Sequence, residues 1–149
     1  MIQTGVQIKA GAFPPQWRWR ADLEELAEAG VSLIVFPIPW CLAERAPGCF
    51  DFSLFSGYLR EADACGMRVI LTPVPEPPVW IQERCFDRPE YRNALFAFFR
   101  ALGAEFGEEK WLDAWRLELL SLDDCRCPVS LELFQKFLHS EFSSIRELN

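Results

Sequence analysis

The sequence predicts an α/β fold of parallel strands, a (βα)4 half of a (βα)8 TIM barrel, and three observations predict it. Val31-Ser-Leu-Ile-Val-Phe36 and Met67-Arg-Val-Ile-Leu-Thr72 are short apolar runs rich in β-branched residues, bounded by Gly30, Pro37, Gly66 and Pro73. Neither run alternates polar with apolar, the pattern of parallel strands covered on both faces. Between them Phe52–Ala64 has helical spacing at Leu54, Tyr58, Leu59 and Ala62, with Gly66 as a stop, and so completes a βαβ unit. A small open parallel sheet is the alternative that the pattern leaves.

The remaining elements follow in chain order. Val6–Ala10 reads as a short first strand in which Gln7 and Lys9 alternate with Val6 and Ile8, and Gly11-Ala-Phe-Pro-Pro15 turns the chain. Trp17–Ala29 is amphipathic, with Trp19, Leu23, Leu26 and Ala27 on its apolar stripe, and Gly30 ends it. After the central unit, Pro73-Val-Pro-Glu-Pro-Pro78 forms a stiff loop, and Asp87-Arg-Pro-Glu90 has the form of a capping box. Pro89–Phe106 is the longest helix, its stripe being Leu95, Phe98, Phe99, Leu102 and Phe106. Ala114–Leu119 is the fourth strand, with Arg116 and Glu118 on one face and Trp115, Leu117 and Leu119 on the other. Ser130–His139 and Ser143–Leu148 close the chain as helical pieces, and nothing along residues 1–149 marks a domain boundary.

Composition narrows the function classes. A chain of 149 residues, half of them hydrophobic and 14% aromatic, can bury a sizeable single core. A net charge of −7 without a Lys/Arg cluster leaves no electrostatic footprint for nucleic acid. Met1-Ile-Gln-Thr-Gly5 has no basic region followed by an apolar stretch, and no segment runs about eighteen residues without a charge, so no membrane partner is expected. The expectation is a soluble, cytoplasmic protein whose six cysteines are reduced.

Several stretches then stand in one order: Gly11-Ala with Pro15-Gln-Trp17, Asp22 through Glu28-Ala-Gly30-Val, Trp40, Phe50-Asp-Phe-Ser53 and Gly66-Met-Arg-Val-Ile-Leu-Thr-Pro73. Pro77-Pro-Val-Trp80, Tyr91-Arg92, the Cys125-Arg-Cys127 pair and Ser144-Ile-Arg-Glu-Leu-Asn149 follow. This ordered set resembles the first half of the glycoside hydrolase family 42 β-galactosidases, (βα)8-barrel retaining enzymes. The family's Asn-Glu pair at the end of strand four, whose Glu is the general acid/base, falls here on Leu119 and Leu120. A strand-two Arg of the family falls on Ile34, and the nucleophilic Glu belongs to the second half of the barrel. Retaining glycosidases need two carboxyls about 5–5.5 Å apart, so the resemblance implies a glycosidase-like scaffold without conventional catalysis. Some of the family holds a structural zinc through cysteines around strand four, and Cys85, Cys125 and Cys127 resemble those ligands, with Ser130 at the third position of the local motif. The expectation is a decayed site with free thiols and no cofactor; residual zinc, with Asp123 or Asp124 as an oxygen ligand, is the alternative.

The remaining candidates lie where barrel enzymes place chemistry, at the carboxyl ends of strands. Glu44, Glu76, Glu83 and Glu118 are there, with Trp40 and Trp80 as surfaces on which a sugar ring can stack, against the ordinary reading of both as core residues. Arg116, two residues before Glu118 on one strand face, makes an ion pair the simpler account of that carboxylate. The single histidine, His139, has no nucleophile turn beside it, and no phosphate-binding glycine motif occurs.

Four strands expose an apolar hollow and two unpaired edges. A second copy related by a two-fold axis closes eight strands, with Gln7 or Lys9 of one subunit facing Arg116 or Glu118 of the other. In that dimer Glu76 of one chain and Glu118 or Asp123 of the other form a cross-subunit carboxylate pair, the weak-hydrolase alternative. The reading is therefore a catalytically degenerate, self-associating half-barrel that retains carbohydrate binding through Trp40, Trp80 and Glu76, with a weak hydrolase or a purely structural protein as the alternatives.

Overall fold

The computed structural model describes residues 4–10, 12–117, 125–144 and 147. Its main sheet has four parallel strands in the order β1 (Thr4–Gln7), β2 (Val31–Pro39), β5 (Arg68–Val74) and β6 (Leu112–Trp115). Helices α1 (Trp19–Glu28), α3 (Ser53–Ala64), α4 (Pro89–Phe106) and α5 (Pro128–Glu141) follow the four strands in turn. That is the expected (βα)4 arrangement. Between β2 and α3 the chain adds a short helix, α2 (Trp40–Ala43), and a hairpin of β3 (Glu44–Ala46) with β4 (Cys49–Phe50), where the sequence predicted only a loop. Gly48 turns that hairpin at φ 74°, a conformation that glycine adopts without a steric penalty.

Both central strands run past the prolines that the sequence reading took as their ends. The reason lies in which neighbour each residue bonds. Ile8 N donates to Val35 O at 2.9 Å, so the odd-numbered residues of β2 turn their backbone groups toward β1. β1 ends opposite Val35, and the nitrogens of Pro37 and Pro39 fall beyond it, where no ladder bond is lost. Pro73 repeats the device on β5: Arg116 N donates to Leu71 O, and Pro73 lies past that last rung toward β6. The first strand is Thr4–Gln7 rather than Val6–Ala10, and the fourth begins earlier than expected, at Leu112; Glu118 and Leu119 lie outside the described residues.

The core sits between the sheet and its helices. Ile34, Phe36 and Ile38 of β2 and Val69 and Leu71 of β5 meet Trp19, Leu23, Phe55, Tyr58, Leu59, Leu95, Phe98 and Leu102. Phe36 stacks on Tyr58 with centroids 5.0 Å apart, and Trp19 meets Tyr58 edge-on at 5.5 Å. Gly57 allows that approach, since a Cβ there would lie 3.2 Å from the Trp19 ring. Phe55, not Leu54, completes the α3 stripe; Leu54 is exposed, because the stripe runs through 55, 58, 59 and 62. Phe99 is only partly covered on α4. Asp87 makes no cap: α4 starts with Arg88 as N-cap and Pro89 as its first residue, without a side-chain bond to its free N–H groups. The Ser143–Leu148 helical piece falls partly outside the described residues.

The other face of the sheet is not covered as the helix face is. Leu33, Val35 and Ile70 are half-buried there, so the expectation of two covered faces holds only on the helix side. Arg116 Nη1 reaches across this face to Gln7 Oε1 at 3.3 Å, joining the two edges of the sheet within one chain. Arg68 pairs with Asp113 at 2.9 Å. Thr72 is buried on the same face, and its hydroxyl has no hydrogen-bond partner among the described residues.

Two stability measurements follow. Burial pushes the Tyr58 hydroxyl up to about 12 from 10.0, with the Asp22 charge adding to the shift. The unfolded chain therefore loses this proton first, and the stability that Tyr58 supplies is full below pH 10 and is lost as the pH rises toward 12. Melting temperature should fall over that window in the parent chain and fall less in Tyr58→Phe. Glu44 is 2% exposed and accepts from Trp40 Nε1 and, at 2.6 Å, from Gly48 N. Glu44→Ala strands both donors and should cost about 2–4 kcal/mol in urea unfolding, whereas Cys49→Ser at the exposed hairpin should change it by less than about 0.5 kcal/mol.

Candidate functional site

Chemistry-bearing residues gather in two places, both reached from the loop that follows β5. The first is a cleft of about 240 Å³ lined by Trp80, Ile81, Gln82, Glu83, Arg88, Glu90, Tyr91 and Ala94. It forms because Pro77 and Pro78 stiffen the loop before Trp80, while α4 begins at Pro89 and presents Glu90, Tyr91 and Ala94 from its first turns. Trp80 is half-buried and donates its Nε1 proton to the backbone oxygen of Glu44 at 3.4 Å, which hangs the indole on the hairpin. Glu83 and Arg88 form an ion pair beside it. Tyr91 is buried under Trp40 and Phe86, and burial raises its hydroxyl pKa. An aromatic wall, a carboxylate, a guanidinium and an amide in one concave space can hold a polyhydroxylated ligand by stacking and directional hydrogen bonds.

The structure separates the residues that the sequence reading grouped with Trp80. Trp40 is 0% exposed, stacked on Phe98 at 5.8 Å and bonded to Glu44, so it is a core residue and not a sugar platform. Glu44 is likewise a buried acceptor that ties α2 to the hairpin. Glu76 is exposed and does not line the Trp80 cleft; its charge adds to the rise of the Cys41 thiol, which burial pushes up first. Glu118 and Asp123 lie outside the described residues, as do Leu119, Leu120 and Asp124. Ile34 is fully buried against the helices, where a strand-two Arg would have no water. Arg116, assigned to a contact with a second subunit, bonds Gln7 of its own chain, and Lys9 is exposed. Gln82 has no place in the sequence reading, and Arg88, Glu90 and Tyr91 stand there only in the capping box and the family-like stretches, not as site residues; the polar residues on both sides of Trp80 are the available signal.

The second place is a sulfur cluster. Cys85, buried in the loop before α4, comes together with Cys125 and Cys127, the three sulfurs lying within 4.8 Å of one another. Cys127 Sγ is 3.5 Å from Cys85 Sγ, and Ser130 Oγ is 3.2 Å from Cys85 Sγ and 3.5 Å from Cys127 Sγ. Ser130 lies in the first turn of α5, where Leu131 N bonds Cys127 O at 3.0 Å and sets the turn that returns the serine toward Cys127. Hydrogen bonds from the Ser130 hydroxyl and backbone bring the Cys127 thiol down to about 6, whereas burial pushes Cys85 up. Zinc bound tetrahedrally, with metal–sulfur bonds of about 2.3 Å and a metal–oxygen bond of about 2.1 Å, holds sulfurs about 3.8 Å apart and sulfur from oxygen about 3.6 Å apart. The Cys127–Cys85 and Ser130 distances of 3.2–3.5 Å are slightly shorter than these and the three sulfurs lie within 4.8 Å, so the donor set is close enough to converge on one metal ion.

Comparison with known proteins agrees with the architecture. The β-galactosidase model of glycoside hydrolase family 42 matches residues 13–85 and 81–149. β-Galactosidase BgaA of Clostridium cellulovorans is 21% identical over 97% of this chain and 26% of its own length. YesZ of Bacillus subtilis, also named a β-galactosidase, is 23% identical over 92% of this chain and 25% of its own. The structure of a polyextremophilic β-galactosidase from Halorubrum lacusprofundi superposes with a TM-score of 0.79 at 19% identity, over 99% of this chain and 26% of that one. The chain thus spans about a quarter of the length of the curated relatives it matches. Four parallel βα units in family order, matched by the family model along nearly all their length, make this chain a member of glycoside hydrolase family 42.

Proposed function

We propose that this chain is a catalytically degenerate family 42 half-barrel that binds carbohydrate in the Trp80 cleft and self-associates. The observation that carries the binding reading is the cleft itself, where Trp80 stands with the Glu83–Arg88 pair and Gln82. The degenerate reading rests on the residues. Counting along the chain from Trp115, the family's acid/base pair falls on Leu119-Leu120. Glu76 is exposed and does not line the cleft. The relatives' names make a β-galactoside the ligand class to try first.

Self-association is supported by what the sheet leaves open. Among the described residues β1 and β6 each have one unpaired edge, and both edges belong to one parallel sheet. Beside β6, Pro73, Phe99, Leu102, Gly103, Trp115 and Leu117 line an apolar groove of about 400 Å³, in which Leu117 is 73% exposed. α5 exposes Leu131, Leu133, Phe134 and Phe137. A second copy offers complementary edges and a second apolar helix in one two-fold operation, which closes eight strands.

Light scattering should give twice the mass of the chain, and Leu117→Glu, which charges the groove, should return it to one. Tryptophan fluorescence should shift on titration with β-galactosides. Trp80→Ala should weaken that binding about tenfold or more, ~1.4 kcal/mol or above, without unfolding the protein. No chromogenic glycoside should be hydrolysed. Turnover that disappears in Glu76→Gln would replace this reading with a hydrolase assembled across subunits, and a non-binding monomer would remove it.

A further inference from the structure

We propose that Cys85 and Cys127 are a disulfide-forming pair, a covalent clasp that closes when the protein meets a small disulfide oxidant such as oxidised glutathione. The bond would join the start of α5 to the start of α4. The two sulfurs lie 3.5 Å apart although their residues are 42 apart in sequence. Cys127 is the N-cap residue of α5, and the backbone oxygen of Cys85 accepts from the N–H of Arg88, the N-cap residue of α4. Ser130 Oγ contacts both sulfurs, at 3.2 Å and 3.5 Å, and ties the two side chains to one hydroxyl. A disulfide of about 2.05 Å asks the sulfurs to close by about 1.5 Å, a movement of side-chain rotation. The folded chain has already closed the long loop between them, so the entropic barrier that a distant pair meets is absent.

Exposure sets the order of the steps. Cys127 is half-buried and Cys85 is 3% exposed, so the oxidant reaches Cys127 first. The Cys127 sulfur, as thiolate, attacks one sulfur of oxidised glutathione; a mixed disulfide forms, and the first glutathione leaves as a thiolate that takes up a proton. Cys85 then attacks the Cys127 sulfur, loses its own proton and releases the second glutathione. Two protein thiols are oxidised and one glutathione disulfide is reduced to two thiols. The second step is intramolecular and so outruns capture of another glutathione. Cys125, exposed and two residues from Cys127, is the competitor, but a loop with one intervening residue closes only with backbone strain. The clasp changes how α5 is held. Among the described residues, the side-chain hydrogen bonds of this helix to another element run through Cys85, and thiols are weak donors and acceptors. Oxidation replaces that weak tie with a covalent one.

The test adds oxidised glutathione to the full, reduced chain, with a chelator present to keep the thiols free of metal. The intact mass should fall by two hydrogens, and peptide mapping should find Cys85 linked to Cys127 while Cys125 remains open to alkylation. Hydrogen exchange in the first turns of α5 should slow about tenfold or more on oxidation and recover on reduction. Cys125→Ser should retain the link. Cys127→Ser, at a half-buried position, should abolish both the link and the change in exchange with the far-UV spectrum retained. Glutathione left on Cys127 without further exchange, or a Cys125–Cys127 bond in place of the link to Cys85, would overturn the pair. A Cys85–Cys127 bond that leaves exchange in α5 unchanged would overturn the clasp. Sugar binding at Trp80 enters neither readout.

Discussion

A parallel sheet has to bury two faces, and this chain supplies helices for one. On that side the packing is dense and aromatic, with Trp19, Phe36, Phe55, Tyr58 and Phe98 among the buried residues. On the other side Leu33, Val35 and Ile70 are half-covered, and the Arg116–Gln7 hydrogen bond crosses between the sheet edges. Among the described residues the Thr72 hydroxyl is buried without a partner, and on the helix side an apolar groove stays open beside β6 while α5 exposes Leu131, Leu133, Phe134 and Phe137.

The Glu44 carboxylate links the fold to the cleft. Its side chain accepts from Trp40 and Gly48, which fixes the hairpin, and its backbone oxygen receives the Trp80 indole. The aromatic wall of the cleft is thus positioned by a residue that contributes no atom to its lining. A change at Glu44 moves through the hairpin into Trp80 and alters stability and cleft shape together.

The strands of the central unit and the longest helix were legible because their patterns are local: β-branched runs between breakers, and a helical stripe from Leu95 to Phe106. The short helix at Trp40 and the hairpin after it were not, since their cause is a buried acid whose partners lie within four residues but whose burial depends on distant Phe98 and Trp80. Leu54 was misplaced because the 54-58-62 spacing is as good a helical line as 55-58-62, and only the sheet decides between them. At the site, Trp80 and the three cysteines could be picked out by residue type. The cleft's Arg88 and Glu90 could not, because their role comes from where Pro89 starts α4, and Asp87 was the more obvious cap. Trp40 and Trp80 are chemically alike in the sequence; packing against Phe98 makes one a beam of the core and leaves the other at the surface.

Pro37 and Pro73 sit one rung beyond the ends of the neighbouring strands, and Pro39 sits one rung further. A slide of β1 by two residues toward the carboxyl end of β2 would bring it opposite Pro37, which has no N–H to offer, and the new ladder would lack a bond. The same holds for β6 against Pro73. The imino acids therefore act as one-way stops that lock the alignment of the sheet, and any edge added from outside must seat itself against strands whose stagger is already fixed.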